Sequence, residues 1–416
     1  MHDLEVVEIC AGAGGQSLGL ERAGFRHRLA VELDTNACNT LRANLAHPEV
    51  VRQGDVADHE VWDPAEHEGV DLLAGGVPCP PFSIAGKQLG ATDERDLFAW
   101  AVEQCEIVKP RALMLENVRG LSMPRFAAYR QHVLDRLISL GYVGEWKLLH
   151  ASDFGVSQLR PRFVLVALQE EDASYFRWPA PHPEKAPTVG EVLYDLMASK
   201  GWPGAEAWAK KANKIAPTIV GGSKKHGGAD LGPTRAKRAW AEMGVDALGV
   251  ADEPPGKDRP IDWTPKLTCE MVARLQGWDD GEYKWKFTGK KTSTYRQIGN
   301  AFPPPVARAI GEAIVAAFNH EGEPEERIIP SVDPIYQALR DADDYLTPAQ
   351  IARIARRQLP LEDLERHISI LNRDFEIDTR QSKSGPSYKL LSFKAFTGQE
   401  DHVRHEAFQL ALPTIS

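Results

Sequence analysis

The chain has 416 residues, of which 43% are hydrophobic and 26% are charged, so it can form two or three domains with sizeable cores. No apolar run approaches the roughly 18 residues of a membrane span, and the N-terminus has no signal-peptide pattern, which argues against membrane insertion and secretion. The five cysteines include no CxxC pair, which argues against a disulfide framework and a zinc site. The net charge of −10 argues against a nucleic-acid partner unless positive charge is concentrated locally. We therefore expect a cytoplasmic protein without a bound metal.

Residues 4 to 170 alternate short apolar runs with amphipathic segments. The runs LEVVEIC, HRLAVEL, VDLLAGG, ALMLEN and RFVLVAL are too short for helices and too apolar for strands that are buried on one face only. They predict parallel strands joined by helical crossovers, which is the pattern of a doubly wound α/β domain. The predicted helices cover 17–24, 35–46, 94–108 and 126–140.

The rhythm breaks over residues 171 to 265, where proline, glycine and tryptophan become frequent, and this predicts a smaller, irregular domain. Between Lys210 and Arg238 this region carries eight lysines or arginines and one acid, Asp230. Such a stretch could face phosphates, although a solvated basic loop has the same composition. Periodicity returns with LTCEMVARLQGW and with a proline-opened helix in PPVARAIGEAIVAAFNH, which is expected to rejoin the first domain.

The C-terminal segment has a different pattern again. IYQALRDA, TPAQIARIARRQ and LEDLERHISILNRDF read as three amphipathic helices, and DTRQSKSGPSYKLLSF reads as a hairpin. Three helices and a hairpin predict an α+β, winged-helix-like module that could bind DNA. Because the segment is nearly neutral in charge, a packing or dimerisation appendage is the alternative, and we favour it slightly.

The stretch VEICAGAGGQSLGLERAGF predicts a strand, a glycine-rich turn and the start of a helix. Gly12, Gly14 and Gly15 would let the backbone turn tightly and approach a ligand. Glu32 follows Gly12 by twenty residues at the end of the second strand, where a carboxylate can accept both ribose hydroxyls, and Asp55 ends the third strand, where it could accept from an adenine amino group. The pattern fits a nicotinamide-dependent dehydrogenase as well as a methyltransferase, and a mere tight turn is a third interpretation.

Cys79 lies in GGVPCPPFSIAG, between Pro78 and Pro80 and just after the strand VDLLAGG. That strand should end near Gly76, at the carboxyl edge of the sheet where doubly wound folds keep their sites. A thiolate there would be a strong nucleophile if it were exposed and close to positive charge or hydrogen-bond donors. A buried structural cysteine is the alternative, and the flanking prolines argue against it.

Two further stretches bring polar groups to the same edge. LMLENVRG places Glu116 at the end of the next strand, and ASDFGVSQLRPRFVLV places Gln158, Arg160 and Arg162 at alternate positions that point to one face. Taken separately, Glu116 could be a helix cap and the arginines a salt-bridged edge. Taken with Cys79, they suggest a shared reaction site.

The chain closely resembles the bacterial type of the DNA (cytosine-5)-methyltransferase family. The resemblance covers residues 4 to about 318 and rests on eight motifs in order: CAGAGG, VELD, GDV, GGVPCPPFSIAGKQLGATDERDLF, LENV, QLRPR, LTCEMVARLQGW and RQIGNAFPPPVA. It implies a Rossmann-like catalytic domain and S-adenosylmethionine as the methyl donor. It also implies double-stranded DNA as the substrate, with the target cytosine flipped out of the helix.

The resemblance assigns a role to each polar group at the sheet edge. Cys79 would attack C6 of the cytosine, and Glu116 would protonate or hydrogen-bond N3 and the 4-amino group. Arg162, with Arg160, would face O2 of the base and the thiol. The stretch SIAGKQLGATDERDLF would be a mobile loop that closes over the base.

The sequence departs from the family pattern at three positions: Cys10, where phenylalanine is usual, Leu33, which replaces a common aromatic, and Pro80, where glutamine is frequent. None of these departures removes a reacting atom.

The same resemblance and the basic stretch supply the remaining candidate residues. The cofactor-binding candidates are Gly12, Gly14, Gly15, Glu32, Asp55, Pro78 and Asn300. The DNA-binding candidates are Ser83, Gln158, Thr218, Lys224, Lys225, Arg235, Lys237 and Arg238.

The predicted organisation is a catalytic S-adenosylmethionine-binding domain over 1–171 completed by 286–320, a target-recognition domain over 172–285 and a winged-helix-like module over 331–416. We expect a monomeric, nucleoid-associated enzyme that is either an orphan or works beside a cognate restriction endonuclease. The alternatives are the branch of the family that methylates transfer RNA, an oxidoreductase that would leave Cys79 and Glu116 without a role, and a catalytically silent DNA-binding relative.

Overall fold

The computed structural model describes residues 3–78, 95–221, 229–326, 332–382 and 385–394. These residues form a mixed α/β structure around a seven-stranded sheet, followed by a helical unit and a C-terminal group of three helices and a hairpin. Among the helices in these ranges, none combines the length and the apolar character needed to cross a bilayer.

The central sheet has the strand order β3-β2-β1-β4-β5-β7-β6, and its first five strands run parallel. The order reverses between β1 and β4, and this reversal opens a crevice at the carboxyl edge of the sheet. The middle strands are short and largely buried because helices cover both faces. The strands are Leu4–Ile9 (β1), Phe25–Glu32 (β2), Val51–Gln53 (β3), Leu72–Gly75 (β4), Ala112–Val118 (β5), Tyr142–His150 (β6) and Pro161–Gln169 (β7).

The prediction that RFVLVAL forms a parallel strand was wrong. This run is β7, which is antiparallel to both β5 and β6, and β6 itself was not among the predicted strands. The connection through the fourth helix places β6 parallel to β5 but not next to it. After residues 151–160 the chain returns as β7, which lies between β5 and β6. A continuous apolar run shows that a strand is buried but does not show its direction.

Helices pack on both faces of the sheet. α3 and α4 cover the face that carries Val7 and Ile9, whereas α11 covers the face that carries Val6, and α1 packs on α11. A Cβ at Gly19 of α1 would lie 2.5 Å from that of Ala307, so glycine permits this close helix pair. Except for the short α5, which was not predicted, the bounds agree with the predicted ones within a few residues: Gly15–Arg22 (α1), Thr35–Arg42 (α2), Arg95–Val108 (α3), Ala127–Ser139 (α4), Glu170–Ala173 (α5) and Pro304–Phe318 (α11).

The second unit has a tryptophan-rich core, and its described residues form helices and isolated bridges but no sheet. Trp202, Trp208 and Trp240 are buried in it, and Tyr295 and Ile298 pack against the same cluster. The helix that carries these last two residues therefore joins this core, and it also contacts α2, where Oγ1 of Thr40 donates to Oε1 of Gln297 at 2.6 Å. The helices are Val189–Ala198 (α6), Ala205–Lys211 (α7), Thr234–Glu242 (α8), Cys269–Leu275 (α9) and Lys291–Asn300 (α10).

The C-terminal unit packs directly on α4, one of the helices that cover the central sheet. Its core of apolar side chains includes Ala128 of α4, and Phe393 stacks on His132 of the same helix with ring centroids 4.2 Å apart. The backbone N–H of Val332 donates to Oε1 of Gln131 at 2.7 Å. The elements are Pro334–Arg340 (α12), Pro348–Ile354 (α13), Leu361–Leu371 (α14), and the antiparallel pair Phe375–Ser382 (β8) and Gly385–Phe393 (β9).

Candidate functional site

A cavity of about 340 Å³ opens at the carboxyl edge of the parallel strands, where the strand order reverses. Its size lies in the range of small-molecule sites. Segments that are distant in sequence form its walls, namely the glycine-rich turn, the ends of β2, β4 and β5, and α10. The predicted residues among its lining are Gly12, Gly15, Glu32, Asp55, Pro78, Glu116 and Asn300.

The three glycines of the turn serve different purposes. Gly12 has a φ of +58°, and the space beside its Cα is open, so a ligand can approach the backbone there. Gly14 has a φ of +90° and faces the ring of Trp285, whose Nε1 donates to the Ala13 carbonyl at 2.8 Å. A Cβ at Gly15 would clash with the Phe302 carbonyl oxygen. Gly14 is thus placed against a tryptophan instead of among the residues that line the cavity.

Glu32 braces the glycine-rich turn from the end of β2. Its Oε2 accepts the Gly12 N–H at 2.7 Å, and its Oε1 accepts the Asp34 N–H at 2.7 Å. Burial raises the pKa of Glu32 and these backbone hydrogen bonds oppose that shift. Each carboxylate oxygen keeps a lone pair for a hydroxyl group of a ligand. Asp55 lines the same cavity just after β3, with its Oδ1 accepting the Ala57 N–H at 3.1 Å.

Glu116 and Arg162 form a buried ion pair at the other end of the cavity. Nε of Arg162 lies 2.6 Å from Oε1 of Glu116, and both side chains are about one-tenth exposed. The pair forms across β5 and β7, in which Val118 is opposite Arg162. Burial raises the pKa of Glu116, and the nearby Arg162 and Arg160 oppose that rise. Burial therefore favours the protonated form of Glu116 more than it does for an exposed glutamate, as a proton donor requires.

Asn117 fixes the strand end that leads toward Cys79. Its Nδ2 donates to the Val77 carbonyl at 3.2 Å and thereby ties the segment after β4 to β5. Pro78 lines the cavity at the end of this segment. Cys79 and Ser83 themselves lie outside the described residues, as do Lys224 and Lys225.

Arg160 is completely buried and connects three parts of the chain. Its guanidinium donates to the carbonyls of Ile219 at 2.8 Å, Gly299 at 2.8 Å and Ala301 at 2.7 Å. Next to these bonds, Gly299 meets Gly221 so closely that a Cβ on it would lie 2.5 Å from the Gly221 Cα. The structure therefore places the Arg160 side chain at the junction of the sheet, the second unit and α10, whereas Arg162 pairs with Glu116.

Replacing Arg160 with methionine should destabilise the protein strongly. The substitution would leave the buried carbonyls of Ile219, Gly299 and Ala301 without their donor. Each unsatisfied group costs about 1–3 kcal/mol, so we expect the free energy of unfolding to fall by roughly 3 kcal/mol or more. Denaturant titration measures this loss, and a fall below about 1 kcal/mol would contradict the linking role.

The expectation that Gln158 contacts DNA is not met in this structure. Its side chain is fully buried, donates to Oε1 of Gln276 at 2.8 Å and accepts the Ile219 N–H at 3.0 Å. The side chains of Gln158 and Arg160 lie on the same side, since a guanidinium nitrogen of Arg160 donates to Oε1 of Gln158 at 3.5 Å. Both residues nevertheless face the second unit, because that unit covers this end of β7.

The described cations of the second unit differ in their surroundings. Arg235 and Arg238 are exposed on α8, which Trp240 anchors in the core, whereas Nζ of Lys237 pairs with Oδ2 of Asp230 at 2.9 Å. Thr218 is half-buried beside the Arg160 junction. The two arginines are therefore the most accessible of the predicted DNA-binding residues that the structure describes.

Sequence reasoning missed one wall of the cavity and a charged pair beneath it. Ser293, Arg296 and Gln297 line the cavity together with Asn300, and their spacing on α10 is that of one helix face, which could have revealed them. The buried Glu8 accepts from Nε2 of His27 at 2.8 Å. A single histidine within an apolar strand carries no comparable signal.

The pair of His27 and Glu8 predicts a pH dependence of stability. Burial opposes protonation of His27, but Glu21 and Glu8 outweigh it and raise its pKa from 6.5 to about 9. The stabilisation is complete below the unfolded pKa and is lost as the pH rises to about 9. The unfolding free energy of the wild type should exceed that of His27→Gln by about 3 kcal/mol at pH 6 and approach it above pH 9. A constant difference across this window would contradict the assignment.

Comparisons with known proteins agree with this architecture. A family model described as C-5 cytosine-specific DNA methylase matches residues 4–316. The chain is 69% identical over 409 residues to the Type II methyltransferase M.NaeI of Lentzea aerocolonigenes, and 98% of each chain is covered. It is 50% identical over 318 residues to the Type II methyltransferase M.NgoMIV of Neisseria gonorrhoeae, which covers 76% of this chain and 98% of that relative.

Two solved structures share the fold at low sequence identity. The Entamoeba histolytica methyltransferase EhMeth superposes with a TM-score of 0.53 at 17% identity and covers 78% of this chain and 100% of its own. The S. pombe Dnmt2 methyltransferase gives a TM-score of 0.51 at 15% identity, over 76% of this chain and 99% of that one. At these identities the likeness concerns the arrangement of the sheet and its helices only.

Proposed function

Because the chain belongs to the C-5 cytosine-specific DNA methylase family and is a DNA (cytosine-5)-methyltransferase, we propose that it takes its methyl group from S-adenosylmethionine bound in the cavity beside Glu32. The accepting cytosine is held at Glu116. The observation that carries this proposal is one cavity lined both by the ribose-type acceptors Glu32 and Asp55 and by Glu116, which is paired with the buried Arg162.

The residues of the cavity fit the proposed cofactor. Glu32 offers carboxylate lone pairs for two ribose hydroxyls, and Asp55 offers an acceptor for an adenine amino group. The open space beside Gly12 leaves room for the amino-acid part of the cofactor against the backbone. When bound, S-adenosylmethionine supplies an electrophilic methyl group on a sulfonium.

The protein's own groups make the cytosine reactive. The Cys79 thiolate adds to C6 and forms a carbon–sulfur bond, which turns C5 into an enamine carbon able to take the methyl group. Glu116 holds a proton at N3 while negative charge develops on the ring, and Arg162 stabilises charge at O2. Loss of the C5 proton to a base then expels the thiolate and restores the aromatic ring. The role of Cys79 rests on the family motif and on the strand end that Asn117 secures.

The target-recognition function is assigned to residues 172–285. Arg235 and Arg238 project from an anchored helix, a geometry that suits contacts with phosphates or guanine edges. The high identity to relatives named Type II methyltransferases supports a place in a restriction-modification system. We therefore propose a restriction endonuclease with the same target sequence as the functional partner, and a monomeric enzyme that acts on nucleoid DNA in the cytoplasm.

The direct test is methylation of duplex DNA with a radiolabelled methyl donor, followed by bisulfite sequencing of the product. We expect 5-methylcytosine within one short sequence and no label in a matched transfer RNA. The same identity to DNA methyltransferases disfavours the RNA and oxidoreductase alternatives. Label in RNA only, or 4-methylated cytosine, would contradict the proposal.

A further inference from the structure

We propose that the C-terminal unit is a second DNA-contacting surface, which binds the phosphate backbone beside the methylated site through Arg353, Arg356 and Arg357. This inference rests on the proposed function, because it assumes duplex DNA at the catalytic edge. It assigns the contact to the last turn of α13 and the residues that follow it, here called the arginine turn, and not to a helix that reads bases.

The unit is an addition to the part that the family shares. The family model ends at residue 316, and M.NgoMIV is covered over 98% of its length by only 76% of this chain. A part that such a relative lacks is not needed for the chemistry of methyl transfer. Its role must therefore be sought in what its surface presents.

The unit is attached close to the catalytic edge. β5 carries Glu116 near its carboxyl end, and α4 begins nine residues after that strand. The contacts to the unit lie between Ala128 and Asp135, which is within about 12 Å of the helix start at 1.5 Å per residue. Arg340 of α12 pairs with Asp135 and secures the attachment. DNA that extends from the site on this side would run toward the C-terminal unit.

The basic groups of the turn are free to bind an anion. Arg353, Arg356 and Arg357 are exposed, and within the described chain their guanidinium groups form no ion pair or side-chain hydrogen bond. From Tyr345 to Leu361 the sequence contains no acid. Exposed, unpaired arginines separated from acidic residues are the usual basis of phosphate contacts.

The charge on α14 excludes the usual docking mode of such a module. In a helix-turn-helix arrangement the second helix enters the major groove with its N-terminal residues on the bases. Here that helix is α14, and its exposed charged residues are Glu362, Asp363 and Glu365 with one arginine, Arg366. Two acids in the first turn would face the phosphates that flank the groove. The neighbouring arginine turn is therefore the part that suits DNA, without sequence readout.

The test compares two triple variants of the full chain. Arg353→Gln/Arg356→Gln/Arg357→Gln removes the proposed contacts, and Glu362→Gln/Asp363→Gln/Glu365→Gln is the control on the adjoining helix. Dissociation constants are measured against salt for a duplex that only spans the methylation site and for one extended by about two helical turns on each side. Thermal unfolding shows whether each variant is folded.

For the extended duplex, we expect the arginine variant to lower the slope of log affinity against log salt by about 2–3 and the affinity by roughly tenfold or more at 0.1 M salt. The short duplex should bind both variants like the wild type, and methyl transfer to it should stay unchanged. The control should bind the extended duplex as tightly as the wild type or more tightly.

If the arginine variant and the wild type showed the same slope of log affinity against log salt on the extended duplex, the inference would be overturned. The arginines would then be assigned to binding an acidic protein instead. An equal loss in the control would also overturn it, because the effect would then not follow the sign of the charge. Failure of the wild type to methylate any duplex would instead refute the proposed function, so the two failures are distinguishable.

Discussion

Cys79→Ala should abolish methyl transfer, with a loss on the order of 10⁴-fold or more, because the cytosine ring then has no nucleophile to activate C5. The affinities for S-adenosylmethionine and for duplex DNA should stay close to those of the wild type, since the thiol supplies neither recognition contact. Single-turnover assays with labelled donor measure the first effect, and calorimetry and filter binding measure the others.

A trapping experiment separates the nucleophile from a structural thiol. Fluorine at C5 of the target cytosine cannot leave as a proton does, so the carbon–sulfur bond should persist and the protein–DNA complex should survive denaturation. Cys269→Ala is the matched control, since this half-exposed thiol lies on α9, where its Sγ donates to the Lys291 carbonyl at 3.6 Å. The control should still be trapped, and trapping of Cys79→Ala would refute the assignment.

Glu116→Gln should lower the turnover number by about 10²–10⁴-fold, because the amide cannot deliver a proton to N3. Since burial raises the pKa of Glu116, the wild-type rate should fall as the pH rises through that shifted pKa, and this limb should be missing in the variant. The pH profile under saturating donor and DNA is the deciding measurement. Glu103→Gln, at a partly buried pair with Arg136 on α3 and α4, should retain the wild-type profile.

The loss of stability caused by Glu116→Gln has to be separated from its loss of turnover, because the substitution leaves Arg162 buried without its counter-charge. Breaking such a pair costs about 3–5 kcal/mol, whereas replacing both partners often restores stability. Glu116→Gln/Arg162→Met should therefore unfold at a higher denaturant concentration than the single variant and remain inactive. Recovery of activity together with stability would show that Glu116 only supports the fold.

The sequence predicts which segments form most of the buried strands and the helices between them, because burial leaves a pattern of apolar residues. Short apolar runs predict β1, β4 and β5 as doubly covered strands, and the amphipathic segments predict the helices between them within a few residues. β6 was missed because its alternation of buried and partly exposed residues is imperfect. The direction of β7 was mispredicted because an apolar run carries no information on polarity.

In the candidate site too, local sequence patterns identify the residues but do not show which distant residues they contact. Glu116 and Arg162 could be selected from motif and spacing, but the pair that they form depends on β7 lying antiparallel beside β5. The burial of Gln158 could not be foreseen, because the groups that enclose it belong to Ile219, Leu275 and Gln276, far away in the chain. Residues whose surroundings come from remote segments are the ones that sequence reasoning places poorly.

The junction at Arg160 sets a rule for building chimaeras with altered sequence specificity. Its carbonyl partners are 59, 139 and 141 residues away in the chain, and Gly221 and Gly299 pack backbone to backbone next to them. If the proposed target-recognition region is replaced by that of a relative, the transplanted segment must therefore present its own backbone oxygen to the same guanidinium and a glycine opposite Gly299. Grafts that preserve both features should yield folded hybrids, whereas a cut inside 219–221 should give insoluble ones.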